Sequence, residues 1–323
     1  MRRAGRAAAA FGAAALGVAA LAGCAAAPRF DTAPLAPVEL TDVPFFPQTD
    51  YQCGPAALAT ILAHEGLPVA ADDLTPAVYI EGLRGSLQAE LLAATRRHGL
   101  VPYPIEPDPS ALFAELESGK PVLVLQNLGF ERFPVWHYAV VVGFDADRGR
   151  VLLRSGTERR RSERIGRFLR SWLRAEQWAF VAAEPAAPPA TAAPERWIRA
   201  LTDAERLLDS AAADAAFEAA AARWPGHELV LFAAAGRDAA AGRWGAAANR
   251  YETLIERAPN HAAARNNLAN VLAEQGCRNE AMRQARAALE LIEADSPLRS
   301  VVEDTVATLS SALAAAEPAH CAL

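Results

Sequence analysis

The chain lacks three things that would direct it to a polyanion, a structural metal or a membrane bundle. It has no excess of positive charge, since 32 Lys and Arg face 38 Asp and Glu for a net charge of −6, and an acidic chain of this kind does not seek nucleic acid. Cysteine is scarce, at 4 in 323 residues, and the spacing of Cys24, Cys53, Cys277 and Cys321 is unlike a zinc site. The longest apolar run, about sixteen residues from Ala7, is short for a bilayer span, which needs about 20. What remains is globular in composition: a hydrophobic content of 52% inflated by alanine, with 22 Pro and 20 Gly, over a length that predicts about two domains.

The first thirty residues, "MRRAGRAAAAFGAAALGVAALAGCAAAPRF", have a charged start, an apolar middle and small residues before a cut, the layout of a secretory signal. Leu21-Ala22-Gly23-Cys24 resembles, in addition, the bacterial lipoprotein signal, which implies that Cys24 receives diacylglycerol and becomes the new N-terminus. Ala25 after it, in place of Asp, implies outer-membrane sorting in a Gram-negative cell. Cleavage would remove Arg2, Arg3 and Arg6 and no acid, taking the net charge from −6 to −9.

Residues 24–40 read as a Pro/Ala tether, and "EPAAPPATAAPE" at 184–195 as a second such stretch, too poor in large apolar residues to bury a core. The boundary predicted there separates residues 41–184 from residues 196–317, with a linker over 185–195 and a tail over 318–323. The first segment has mixed texture. A helix is predicted from Cys53 to about Glu65, another from an N-cap at Ser86, and a third capped by Asp108. Runs rich in Val and aromatics at 121–127, 136–144, 150–155 and 178–183 read as strands, with "DADRG" as a hairpin turn. Helix first and antiparallel sheet after is an α+β order.

The second segment is almost wholly helical and repeats. Ala213, Phe217, Pro225 and His227 recur as Ala247, Tyr251, Pro259 and His261, each 34 residues on, which is the tetratricopeptide period. A third unit keeps Leu268, Ala269, Leu272, Ala281 and Ala288 in phase with Ala234, Ala235, Asp238, Ala247 and Leu254; Asp238 fits this apolar register poorly. Residues 298–316 read as a capping helix. Such an array offers a concave surface to a protein partner.

Within "VPFFPQTDYQCGPAALATILAHEG", residues 43–66, Cys53 stands at the mouth of an apolar helix, followed by Gly54 and Pro55 in positions a first turn tolerates. A thiol there feels the positive end of the helix dipole, which predicts a lowered pKa. Of six histidines, His64, His98, His227, His261 and His320 lie in helix or turn contexts, whereas His137 opens the strand "YAVVVGF" and would be held by a rigid sheet.

"VPFFPQTDYQCGPAAL" and "HYAVVVGFD" together resemble the papain-like cysteine peptidases related to the bacteriocin-leader (double-glycine) processing domains, in particular bacterial lipoprotein members with C-terminal tetratricopeptide repeats. The resemblance covers about residues 40–184. It implies a papain-like α+β domain followed by an all-α repeat domain. It further implies that Cys53 is the nucleophile, His137 the general base, and Gln48 the side-chain donor that stabilises the oxyanion with the Cys53 N–H. Gln48 is one residue closer to the cysteine than the family spacing, so Gln52 is a rival. The family's orienting Asp is missing: its place reads "LLRSG", which puts Ser155 opposite His137 as the residue to hold the imidazole. Asp145 and Asp147 are expected to be turn residues.

With Cys24 and Cys53 so assigned, Cys277 and Cys321 are left as a pair for an oxidising compartment. Gly85 and Ser86 read as an N-cap or a cleft wall, and the basic "RSGTERRRSERIGR" at 154–167 as a solvated, partly paired loop or an anion site. The expectation is a lipid-anchored peptidase of the bacterial envelope, facing the periplasm, that needs no cofactor or metal. Its partners would be a peptide or protein substrate, a protein on the repeats and the membrane through the anchor alone. Two rivals remain: a papain-like amidase or acyltransferase on the same residues, and a catalytically weak peptide-binding adaptor.

Overall fold

The structure is a computed structural model that describes residues 36–48 and 52–314; Cys24, Cys321 and the signal sequence lie outside the described residues. Its N-terminal half is built on one antiparallel sheet. The strands are β1 (Val38–Glu39), β2 (Val101–Pro104), β3 (Val122–Asn127), β4 (Trp136–Asp145), β5 (Arg150–Ser155), β6 (Glu158–Arg164) and β7 (Ala179–Ala183). Their order is β2-β7-β3-β4-β5-β6, with β1 paired to β4 beyond the end of β3. Alternation along the strands divides the sheet into two faces. Tyr138, Val140, Val142 and Leu152 pack under helix α1 (Cys53–His64), whereas Ala139, Val141, Val151 and Leu153 pack under α4 (Pro109–Glu117) and α5 (Ile165–Leu173).

Helix α1 is apolar all round because it is enclosed all round. Every residue from Gly54 to Leu62 is buried, between β4 on one side and α2 (Ala71–Val78) and α3 (Gln88–Arg97) on the other. Helix α4 starts as expected, with Asp108 accepting the Ser110 N–H at 2.6 Å. Helix α3 does not: Leu87 holds its N-cap position, and the Ser86 hydroxyl, read from sequence as the cap, is turned inward. Residues 158–164 of the basic stretch are the edge strand β6 rather than a loop. A two-residue turn at Gly156 (φ +60°) and Thr157 sets up that hairpin, because only glycine adopts the first position of such a turn without strain.

Seven helices follow: α6 (Pro194–Glu205), α7 (Ser210–Arg223), α8 (Glu228–Ala240), α9 (Trp244–Arg257), α10 (Ala262–Glu274), α11 (Arg278–Glu290) and α12 (Arg299–Ala314). The starts of α7, α9 and α11 are 34 residues apart, as are those of α8 and α10, so the sequence period is a structural one. Ala213, Ala247 and Ala281 are the buried small residues that let paired helices approach. Asp238, the misfit in the apolar register, is buried yet ion-paired at 2.8 Å to both Arg243 and Arg250. Buried Cys277 is disulfide-bonded; Cys321, its expected partner, is among the residues not described.

The Pro/Ala stretch at 184–195, read as a linker that buries no core, is bonded to the sheet domain. The buried Glu115 carboxylate accepts the Thr191 N–H at 2.7 Å and its hydroxyl at 2.6 Å, and the Tyr103 hydroxyl accepts the Ala193 N–H at 3.0 Å. Trp197, Ile198 and Leu201 of α6 then join the same apolar cluster as Tyr103 and Leu112. A segment without large side chains is thus fixed by its backbone, through polar groups presented by the sheet domain. The tether boundary shifts as well, because Val38 and Glu39 pair with Phe144 and Gly143.

Candidate active site

Four segments far apart in sequence meet at the start of β4. Cys53 is the first residue of α1. The N–H groups of Tyr138, Gly54 and Cys53 itself lean on its thiol, which places the sulfur beside the strand that His137 opens. A cavity of about 800 Å³ is lined by Cys53, His137, Gln48, Ser86 and Tyr138, with Leu83, Leu87, Val135 and Trp136 at its apolar rim. Gln52 takes the N-cap position of α1 and is not one of the lining residues.

Each position has a local cause. Gly54 is required because a Cβ there would lie 2.3 Å from the Ser86 hydroxyl and 2.6 Å from its Cβ, so residue 86 seats directly on the first turn of α1. The Tyr138 hydroxyl donates to the Ser86 carbonyl at 3.1 Å and ties that seat to β4. Gln48 is brought in by its N–H, which donates to the Gly156 carbonyl in the β5–β6 turn at 3.0 Å. The segment leading to Gln48 is held by Arg154, a buried guanidinium that donates to the carbonyls of Val43, Thr41 and Leu40 and, on its other arm, Arg159. Arg154, Tyr138 and Gly156 carry the geometry without having been singled out for it in the sequence, whereas Gly85 and Ser86, read there as an N-cap or a cleft wall, line the cavity. The one available signal was an arginine inside the otherwise apolar strand "RVLLRS".

Ser155 Oγ lies 2.8 Å from Nε2 of His137, across the β4–β5 hairpin, while Asp145 is at the far end of β4 and accepts from Arg148 in the turn. The substitution of a hydroxyl for an acid matters for the proton. A carboxylate only accepts, and would keep the hydrogen on Nε2 and the lone pair on Nδ1; a hydroxyl donates or accepts, so both tautomers are open. No charge is supplied either. Burial, with the nearby Arg161 adding to it, lowers the His137 pKa from 6.5 to about 4.

The thiol shows the same balance. Burial pushes the Cys53 pKa up, and the three backbone N–H groups offset this only in part. The helix terminus that predicted a thiolate is present, but desolvation outweighs it. Both shifts favour the uncharged forms, a thiol and a neutral imidazole.

Residues 40–179 match the model of the Peptidase_C39 like family, so this segment is similar to the C39-like peptidases. Among solved structures, a C39-like peptidase from Bacillus anthracis is 17% identical and covers 46% of this chain and 98% of its own, with a TM-score of 0.39. The peptidase domain of Streptococcus ComA, a bifunctional ABC transporter, is 22% identical and covers 44% and 98%, with a TM-score of 0.35. The Yersinia enterocolitica type III secretion chaperone SycD, in complex with a peptide of the translocator YopD, is 15% identical and covers 37% and 93%, with a TM-score of 0.34. No curated protein matches the chain.

Proposed function

We propose that this chain is a lipid-anchored cysteine peptidase of the bacterial envelope, in which Cys53 attacks a peptide carbonyl and His137 moves the proton. The observation that carries the reading is the convergence of Cys53, His137 and Gln48 on one cavity, with Ser155 bonded to the imidazole. Because burial favours the uncharged forms, the thiol proton passes to His137 as the sulfur–carbon bond forms. The same proton then goes to the departing amine as the C–N bond breaks, leaving a thioester that water hydrolyses. The Gln48 amide and the Cys53 N–H face the developing oxyanion. The apolar rim suits an extended peptide with bulky apolar side chains beside the scissile bond, and the helical repeats, read as tetratricopeptide units, would recruit a protein partner.

The test is hydrolysis of fluorogenic peptides by the purified chain, with Cys53→Ala and His137→Ala as controls, and mass-spectrometric mapping of an electrophilic peptide probe. Turnover lost in both variants, with the probe on Cys53, is expected. The adaptor reading is favoured by one observation, Ser155 in the acid's place. Peptide binding that survives Cys53→Ala, with no turnover by the parent, would put it first.

A further inference from the structure

We infer that the end of the sheet opposite the catalytic residues is a contact face for an anionic phospholipid surface. Residues 148–174 carry ten arginines and two glutamates, a local charge of +8 in a chain whose net charge is −6, so the remainder holds −14. The structure gathers part of that charge in one place. Arg148, Arg150, Arg160 and Arg164 line a second cavity of about 610 Å³, together with Asp145 and Ser162, at the β4–β5 turn and the outer edge of the sheet. Asp145, the acid in its lining, is engaged by Arg148 at 2.8 Å, Glu39 outside it by Arg160 at 2.7 Å, and Arg150 donates to the Ser162 hydroxyl and carbonyl at 2.9 Å. Arg164 is exposed. Arginine suits a phosphodiester because its planar fork offers paired donors.

Position selects the occupant. Glu39 belongs to β1, the first described element, so the chain leading from the N-terminus enters the domain at this basic end. Strand β4 has 10 residues, about 30 Å at roughly 3.3 Å per residue, with His137 near one end and Asp145 at the other. The eight residue steps from His137 to Asp145 span about 26 Å at that rise, so a bilayer against the arginines leaves the cleft about that far away, opening from the opposite end of the strand. The acidic remainder of the molecule is repelled by the same surface, which fixes the orientation. The inference shares the envelope location with the proposed function, but the charge argument does not need the anchor.

The test uses the full processed chain with vesicles of phosphatidylcholine alone or with about 30% phosphatidylglycerol, read by flotation and by hydrogen exchange. The amides of β5 and β6 are expected to exchange at least about tenfold more slowly on the anionic vesicles. Arg148→Glu with Arg164→Glu should remove that difference, and so should about 0.5 M salt on the unaltered chain, which keeps the test valid if the double variant folds poorly. Equal exchange on both vesicles would overturn the inference, as would slowing at residues 128–135 beside the cleft, or slowing by a soluble acidic protein alone. Flotation only with anionic vesicles would sink the lipid anchor and leave this face standing.

Discussion

The two ends of β4 are built in opposite ways. At the Asp145 end four arginines face two acids, and after Arg148 pairs with Asp145 and Arg160 with Glu39 an excess of positive charge remains. At the His137 end burial favours the uncharged thiol and imidazole, a serine stands where an orienting acid is expected, the rim is Leu83, Leu87, Val135 and Trp136, and the charges near it, Arg84 in the lining and Arg161 beside the imidazole, are positive. The difference shows that a helix N-terminus does not by itself make a thiolate. Its partial charge acts on a group whose ionised form burial opposes more strongly, and only a partner bearing charge would reverse the balance.

The sharpest test of the His137 end is the proposed oxyanion donor. Gln48→Ala is expected to lower kcat/KM by about 10² to 10³, whereas Gln52→Ala, outside the cavity, should change it by less than about threefold; the reverse result in steady-state assays would exchange their roles. Acid sensitivity comes next. His137 has a folded pKa of about 4 against 6.5 unfolded, so between those values the unfolded chain binds the extra proton. The stability from burying the neutral ring is complete above pH 6.5 and is lost as pH falls toward 4, by about 3 kcal/mol. Chemical denaturation at pH 7 and pH 4 should show that loss reduced in His137→Gln, and the acid limb of kcat/KM should fall near pH 4.

Gly54→Ala tests the seat of α1 and is expected to cost about 1 to 3 kcal/mol along with most of the turnover, with Ser86→Gly in the same chain restoring both. Thermal melts and rates that do not recover together would mean that Gly54 serves something other than Ser86. The smallest effect makes the two ends more alike. Ser155→Asp sets a negative charge between His137 and Arg161, raises the imidazole pKa and fixes the hydrogen on Nε2. Turnover is expected to rise about tenfold, which corresponds to one pKa-unit equivalent of about 1.4 kcal/mol, and the acid limb should move up from pH 4.

Where the sequence was legible, the cause was burial of a regular pattern. Strands β3, β4, β5 and β7 are apolar and buried, α1 is apolar throughout, and His137 and Ser155 could be related because a hairpin sets their register. Strand β6 was missed because "ERRRSER" at a sheet edge has no buried face to show. Strand β2 was missed because "VPYP" is short and carries two prolines that only an edge tolerates. Helix α2 has Pro76 inside it. Ser86 has the residue type of a cap, but its role is set by a glycine more than thirty residues earlier. The binding of residues 190–193 depends on Glu115 and Tyr103, which composition at 184–195 cannot reveal. The thiol's pKa was misread because dipole is a local property and desolvation is not.

Strand β7 lies between β2 and β3 in space but follows β6 in the chain. Until Ala179–Ala183 has been synthesised, β2 has no sheet neighbour, and the space beside β3 that the Phe180 side of β7 fills stands open. Cys53, Gln48, His137 and Ser155 all precede that strand, so a growing chain holds all four candidate residues before it can hold the sheet that aligns them. Late closure by a central strand, with its long sequence separation, is slow as folding steps go. Assembly of the cleft is thereby delayed until the chain is nearly long enough to begin its helical repeats, and a fragment ending before residue 179 would carry all four residues without the sheet that positions them.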